Sequence, residues 1–550
     1  MQKKREGKLY SSFIEKRYYL PVISALLLFA SIFPTYLLIS NFIFLVPLLF
    51  FLQHSKNGKE AFKGGILFGF VAYAAIFHWI YSFFSISIFL ALFLYLAILV
   101  YFSLMCAVLV FLAYLIYSRW KIRFFLFMPL LWIIVEHART FGPFRITIDH
   151  VAFSMATFPQ LIQFIDITGP YGITFWLILV NALIFEAIVS FRKKAGWIKY
   201  AAAAILITIL PAAYSFYEWN RLTYEPDLKI SMIQPNIPFE KKMKKGFETE
   251  NMDLLVSMTS EAIREDPDII IWPETSYPNL ILHRVDQDPE PVLPEVSQLA
   301  RSSQTPILVG ANYARIRSRE DFDVYNAAFL VDSRGDIQDY YAKIYLVPFT
   351  EALPFREVFG IQKGRKSGLL ALLANFSAGN KFSVFEIESK PRPLNDETGV
   401  MGGEVKVTGK RKERFGVLVC YEGLYSELSR QLRKEKADFL VCITNDAWFG
   451  RTIAPYWHAS ALRLRAIENR ISIARCANTG VSCFFDPAGR MYQSSEIFTK
   501  GVITGSILAA PPFPPLYTRR GNVIVYFAYA ALLFMIILAA FLRKKIFKKK

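Results

Sequence analysis

Hydrophobic and polar positions divide this chain into two textures. Up to about residue 220 it is a series of apolar runs with short polar breaks, and from there to about 519 apolar and polar stretches alternate at short range. A helix crossing a bilayer needs roughly 20 apolar residues. Runs near 19–33, 35–53, 62–82, 88–117, 123–138, 170–191 and 198–217 approach that length, and an eighth lies near 522–542. The first run passes into the second across Pro34, which reads as span, turn and span, not as a cleavable signal. The pattern predicts a multi-pass α-helical membrane domain of seven spans over 1–219, a polar domain over 220–519, and an eighth span with a basic tail over 520–550.

Within the polar domain, β-rich apolar runs recur at Lys229–Ile237, Asp268–Glu274, Ile307–Ala314, Asn326–Val331, Phe415–Glu422, Phe439–Asp446, Ser472–Asn478, Ser482–Asp486 and Gly501–Ile507. Helical periodicity appears near 247–265, 292–303, 424–436 and 455–470. Pairs of strands separated by pairs of helices predict a layered α/β fold. Residues 386–413, rich in Gly, Pro, Lys and Glu, break the pattern and read as a solvated loop or insertion.

Composition agrees with a chain that is part membrane and part soluble: 54% hydrophobic and 16% aromatic, with mean hydropathy +0.32. The formal charge of +18 raises the question of nucleic acid. The basic residues answer it by position. Lys3, Lys4, Arg5, Lys8, Lys16 and Arg17 precede the first run; Lys56, Lys59 and Lys63 follow the second; Arg119, Lys121 and Arg123 follow the fourth; Arg192, Lys193, Lys194 and Lys199 follow the sixth. Arg543, Lys544, Lys545, Lys548, Lys549 and Lys550 follow the eighth. With eight spans all of these fall on one side, so the positive-inside rule expects both termini in the cytoplasm and residues 220–519 outside it. The charge is then topology information, and no nucleic-acid partner is expected. Five cysteines are few and odd in number, which argues against a disulfide framework. Six histidines without HxxxH or CxxC spacing give no sequence support for a metal site.

Three predicted strand ends carry candidate chemistry: IIIWPETSYP with Glu274, YAKIYLVPFTEALPF with Lys343 and Glu351, and FGVLVCYEGLYSE with Cys420, Tyr421 and Glu422. Each has an ordinary alternative. A Cys in an apolar strand is usually a small buried hydrophobe, as Cys442 is expected to be; a Glu after Trp-Pro suits a turn or cap; a Lys in an amphipathic strand usually faces water. Together they form a working set. A carboxylate can take a thiol proton, and an ammonium lowers the thiol pKa and then faces an oxyanion. No Ser-His-Asp set competes, since His458 falls in a predicted helix and the other histidines are scattered.

WPE, YxKxxLVPFxE, CYE, ITNDAWFG and RAIENRISIARCANTG, in that order, resemble the nitrilase or carbon–nitrogen hydrolase superfamily. Eight spans with the LVPFxExLPF and NDAWFG forms look like its membrane branch, the apolipoprotein N-acyltransferases. The resemblance implies an αββα sandwich with Glu274 as general base, Lys343 as transition-state lysine and Cys420 as nucleophile. It implies accessory roles for Glu351, Glu422 and Asn326, an oxyanion-facing backbone N–H at Tyr421, and a substrate contact at Arg139. It further implies a phospholipid acyl donor, a diacylated apolipoprotein acceptor, no cofactor, a monomer and a bacterial inner membrane with the catalytic domain in the periplasm. The Lys343–Cys420 interval is long for the family because of residues 386–413, and FGPFRITIDHVAFSMA matches its usual loop imperfectly. A membrane-anchored amidase using water, or a binding protein with an inactive enzyme-like domain, would carry much of the same pattern.

Overall fold

A computed structural model of the chain describes residues 17–547 apart from 33–36, 86–87, 143–144, 148–149, 223–227, 239–240, 243–245, 286–290, 319–320, 353–375, 392–408 and 510–512. The expected turn at Pro34 and the basic residues before Arg17 and after Phe547 lie outside the described residues. The chain divides into two compact units. One comprises residues 1–221, 452–457 and 520–550, and the other residues 222–451 and 458–519.

The first unit is helical. Its helices are α1 (Tyr19–Ile32), α2 (Val46–His54), α3 (Gly58–Ile76), α4 (Ile88–Trp120), α5 (Phe124–Ala138), α6 (Tyr171–Arg192), α7 (Ile198–Arg221) and a C-terminal helix, Val523–Phe547. Among the described residues, each of the eight predicted apolar runs contains an α-helix. Four helices among the described residues are long and apolar enough to cross a membrane: Ala91–Trp120, Tyr171–Arg192, Ile198–Arg221 and Val523–Leu542. The second run breaks into a 3-10 turn, Leu38–Phe42, followed by α2, and the third gives way to 3-10 at His78–Ser85. Local chemistry sets several ends. Asn57 caps α3 by accepting the Glu60 N–H, while Arg119, Arg192 and Arg221 stand at the carbonyl ends of α4, α6 and α7.

Helices α3 and α4 meet through small residues. A Cβ on Gly65 would lie 2.6 Å from the Ala107 Cα, and one on Gly69 would lie 2.7 Å from the Ser103 Cα. The four-residue spacing gives one glycine face on which the second backbone can rest. The outward faces are apolar: Ile205, Leu206, Ile209 and Leu210 on α7, and Phe527, Phe534, Ile537 and Phe541 on the C-terminal helix, are exposed. Exposed apolar side chains on these faces suit a surface covered by lipid or by another apolar partner.

The second unit has two sheets. The first contains β1 (Leu228–Gln234), β2 (Ile269–Ile271), β3 (Ile281–Arg284), β4 (Ile307–Ile316), β5 (Phe322–Val331) and β6 (Ile337–Ala342), with helices α8 (Glu248–Ile263) and α9 (Pro294–Ser303). The second contains β7 (Val384–Glu388), β8 (Lys412–Val419), β9 (Phe439–Thr444), β10 (Ser472–Ala477), β11 (Cys483–Phe485) and β12 (Met491–Tyr492), with α10 (Ser426–Lys434) and α11 (Ala454–Asn469). Strand β13 (Gly501–Ile507) returns to the first sheet, giving the order β13-β1-β2-β4-β5-β6 with β3 also on β4. The second sheet runs β12-β11-β10-β9-β8-β7. Strands β1, β2 and β4 are mutually parallel, as are β8, β9 and β10.

Alternation along the strands builds the layers. Ile269 and Ile271 join Leu308, Val417, Val419, Val441 and Ala474 in a core between the sheets. Ile270, Ile307 and Val309 point the other way, onto Met252 and Leu255 of α8 and Val296 of α9. On the second sheet, Gly416 of β8 has no room for a Cβ because Leu432 of α10 packs there. This is the predicted αββα sandwich. Four strands carry weak sequence signals: β3, β6, β7 and β12. The described ends of the supposed insertion, 386–388 and 412–413, belong to β7 and β8, which pair antiparallel from Val384↔Gly416 to Glu388↔Lys412. Residues 392–408 lie outside the described residues.

Candidate active site

The parallel strands deliver the site, because their carboxyl ends open together. Strand β2 ends at Ile271 and the chain turns through Trp272-Pro273 to Glu274. Strand β8 ends at Val419 and Cys420 opens a 3-10 turn, Cys420–Leu424. Strand β9 ends at Thr444, before Asn445 and Asp446. Lys343 follows directly on β6. The backbone bends sharply at two of these points: Thr275 has φ +47° and Cys420 φ +53°. Non-glycine residues in that region cost about 1–3 kcal/mol each and persist where the surroundings hold them.

Lys343 is 1% exposed, so its charge must be matched inside the protein. Its Nζ donates to Glu351 Oε1 at 2.9 Å and lies 3.6 Å from Glu274 Oε1. Burial works against the ammonium, but Glu351 and Glu274 outweigh it and hold Lys343 above the ordinary lysine range. Asn326 Nδ2 bridges the same two carboxylates, at 2.7 Å from Glu274 Oε1 and 3.2 Å from Glu351 Oε1. The other Glu274 oxygen accepts the Asn445 N–H at 2.8 Å. Glu274 is thus buried and hydrogen-bonded through both oxygens. Strand β4 fixes its backbone: a Cβ on Gly310 would lie 2.2 Å from the Pro273 carbonyl oxygen.

Cys420 is half-buried, whereas Cys106, Cys442, Cys476 and Cys483 are buried. Burial pushes the Cys420 thiol well above its usual range; the Glu274 charge adds to this and the Lys343 ammonium opposes it. A raised thiol needs a base to take its proton before it can attack. Cys442, in the middle of β9, is pushed up to about 12 by burial, which fits an inert core thiol.

Glu422 is fully buried and ties the two halves together. Its Oε1 accepts from the Tyr341 hydroxyl at 2.8 Å and from the N–H groups of Ile344 at 2.7 Å and Tyr345 at 3.0 Å. Its Oε2 accepts the Val419 N–H at 2.8 Å. One carboxyl thus holds the segment after Lys343 against the turn that carries Cys420. Burial pushes it up to about 7 against the pull of Lys343 and these hydrogen bonds. Tyr421 follows the nucleophile and its ring meets Tyr425 edge-on at 5.2 Å. Arg139 belongs to the helical unit, where it is buried at the end of α5 with its guanidinium 5.5 Å from the Phe102 ring centroid.

The structure thus gathers Glu274, Lys343, Glu351 and Asn326 into one bonded group and ties Cys420 to it through Glu422. It also adds residues that the sequence patterns did not single out. Lys242 donates to the Glu274 carbonyl oxygen at 2.8 Å, and burial lowers it to about 8 while Glu274 opposes that. His458 reaches the Cys420 carbonyl, and Asp446 and Arg475 lie behind it. Among the described residues, no group of three or more His, Cys, Asp and Glu is arranged to hold a metal ion.

Chemically, a thiol beside a buried carboxylate and a buried ammonium can form and resolve an acyl thioester. Curated relatives carry acyltransferase names. A protein of Geobacter metallireducens named apolipoprotein N-acyltransferase is 29% identical over 500 residues, covering 89% of each chain. One of the same name from Chlorobaculum tepidum is 29% identical over 528 residues, covering 90% of this chain and 92% of its own. Among solved structures, the chain is similar to Saccharomyces cerevisiae Nit3, of the nitrilase superfamily, at 18% identity and TM-score 0.36, over 54% of this chain and 95% of that one. Residues 24–183 match the apolipoprotein N-acyltransferase N-terminal domain. Residues 229–510, which hold both sheets and every residue of the cluster around Cys420, match the carbon–nitrogen hydrolase family over just over half the chain, and the chain belongs to that family.

Proposed function

We propose that this membrane protein is an N-acyltransferase. In this reading it moves an acyl chain from a phospholipid, through a thioester on Cys420, to the N-terminal amine of a diacylglyceryl-cysteine apolipoprotein. The observation that carries the reading is the buried Lys343, held 2.9 Å from Glu351 and 3.6 Å from Glu274. The names of the curated relatives supply the acceptor class.

Glu274 takes the Cys420 proton as sulfur attacks the ester carbonyl of the phospholipid. Lys343 and the Tyr421 N–H face the oxyanion. The tetrahedral adduct collapses, the C–O bond breaks, and the lysophospholipid oxygen leaves with the proton held by Glu274. In the second half, the acceptor amine attacks the thioester and passes its proton to Glu274. The C–S bond then breaks and that proton returns to sulfur. Glu351 and Asn326 orient Lys343 and Glu274, and Glu422 keeps the two strand ends in register. Arg139 is the proposed substrate contact of the helical unit. One thiol serving two substrates in turn gives ping-pong kinetics.

Our reading puts eight spans in a bacterial inner membrane, both termini in the cytoplasm, and the catalytic unit of a monomer outside. It is supported by basic residues that follow alternate helices: Lys56, Lys59 and Lys63 after α2, Arg119 and Lys121 at α4, and Arg192, Lys193 and Lys194 after α6. The deciding assay is acyl transfer from a labelled phospholipid to a diacylated lipopeptide, with wild type and Cys420→Ala. Label should reach the peptide amine only with Cys420 present. Release of free fatty acid without transfer would favour a hydrolase, and transfer by Cys420→Ala would remove this cysteine from the mechanism.

A further inference from the structure

His458 lies on α11, and its ring is wedged between the nucleophile and a buried ion pair. Nε2 is 3.3 Å from the Cys420 carbonyl oxygen, and Nδ1 is 3.1 Å from Asp446 Oδ1. A carbonyl only accepts, so Nε2 is the donor in that contact, while Nδ1 lies between a carboxylate that only accepts and a guanidinium that only donates. Asp446 is fully buried and takes Arg475 Nη2 at 2.8 Å on Oδ2 and the Thr444 hydroxyl at 3.0 Å on Oδ1. Arg475 Nη2 is also 3.1 Å from Nδ1, and Phe449 meets the ring edge-on at 5.7 Å. Arg475 is itself anchored on the Val481 carbonyl at 2.6 Å. A Cβ on Gly480 would fall 2.1 Å from Asp446 Oδ2, so the carboxylate is walled in. The ring has little freedom to turn.

The consequence lies in one peptide group. The Cys420 carbonyl and the Tyr421 N–H belong to the same planar trans unit and point in opposite directions. Whatever holds the carbonyl therefore aims the N–H. The need for a holder is visible in the backbone, since Cys420 sits at φ +53°. A hydrogen bond on the carbonyl also polarises the peptide and makes its N–H a better donor.

We propose that His458, held by Asp446 and Arg475, is a positioning residue that locks the Cys420–Tyr421 peptide so that the Tyr421 N–H faces the oxyanion. This rests on the thioester reading above. His458 touches no reacting atom. Its effect falls on any step that passes through a tetrahedral oxyanion and spares a step that does not.

Two reactions of the same thiol separate these effects in the full-length protein. One is single-turnover formation of acyl-enzyme from phosphatidylethanolamine–phosphatidylglycerol vesicles, which passes through an oxyanion. The other is alkylation by iodoacetamide, a direct displacement without one. His458→Phe keeps the ring volume and removes the donor. It should slow acylation by about 100-fold, the scale of one oxyanion donor, and leave alkylation near the wild-type rate. His458→Gln restores an N–H and should recover at least about tenfold of the lost acylation. If His458→Phe is not recovered folded, His458→Leu takes its place with the same readouts. Acylation at the wild-type rate, or acylation and alkylation falling together, would overturn the proposal. Absence of acyl-enzyme in the wild type would instead overturn the thioester reading beneath it.

Discussion

Lys343 is the residue on which the charge balance of the site turns. It is buried between Glu274 and Glu351, so Lys343→Ala leaves two carboxylates facing a void and removes the cation opposite the oxyanion. Acyl transfer should fall by about 10²–10³-fold, as for loss of one oxyanion stabiliser, while the protein still reaches the membrane fraction. Unchanged turnover would take Lys343 out of the chemistry. Glu422 gives a pH test. Folded, it titrates near 7, against an ordinary 4.5. The folded state therefore holds the extra proton between those values, and stability attributable to Glu422 falls as pH rises from 4.5 to about 7 and is level above that. Wild type should lose thermal midpoint relative to Glu422→Gln across that window, and a difference that stays flat with pH would contradict the assignment. Glu274 and Cys420 stood out in the sequence because each stands where an apolar run stops, and Lys343 because it lies in the motif YxKxxLVPFxE. Lys242 and His458 were not, because each meets the site itself through a backbone carbonyl, of Glu274 and of Cys420. A bond to a carbonyl leaves no trace in the partner's residue type.

At the scale of elements, strand ends place the chemistry and close approaches hold it there. Gly310 of β4 lies so near the Pro273 carbonyl that Gly310→Ala must move one backbone or the other. Overpacking of this kind costs about 1–3 kcal/mol, and a displacement of about 1 Å at Glu274 can cost about 10²-fold in rate. The expected result is a lowered thermal midpoint together with a larger loss of acyl transfer. Full activity would show that β4 does not set the position of Glu274. The same view explains which strands could be read from sequence. β1, β8, β9 and β10 sit inside their sheets, buried along most of their length; β9 (FLVCIT) and the FGVLV end of β8 are nearly continuous apolar runs, and in β1 and β10 apolar residues outnumber the Lys, Ser, Gln and Arg between them. β6, with the sequence IQDYYA, and β7, with VFEIE, are edge strands with partly exposed faces and weak alternation. β2 is only three residues long because Pro273 ends it.

On the whole molecule, exposed leucines mean different things in the two units. Leu206 of α7 is 56% exposed and Leu282 of β3 is 60% exposed. If the outer face of the helical unit meets lipid, Leu206→Lys costs about 3–4 kcal/mol of insertion, and the amount recovered from the membrane should drop. Leu282→Lys on the catalytic unit should change recovery little. Equal effects at both positions would contradict a lipid-facing α7. Helical segments were legible from apolar runs alone, but span length was not, since 3-10 breaks at Leu38–Phe42 and His78–Ser85 shorten two runs. The central claim is that Cys420 carries the acyl chain. The most direct measurement is mass spectrometry of the Cys420 peptide after incubation with phospholipid alone and then with a diacylated lipopeptide. The account predicts one acyl group on Cys420 in the first step and its loss, with triacylated peptide formed, in the second. An unmodified Cys420 throughout, or an acyl group that leaves only as free fatty acid, would contradict it.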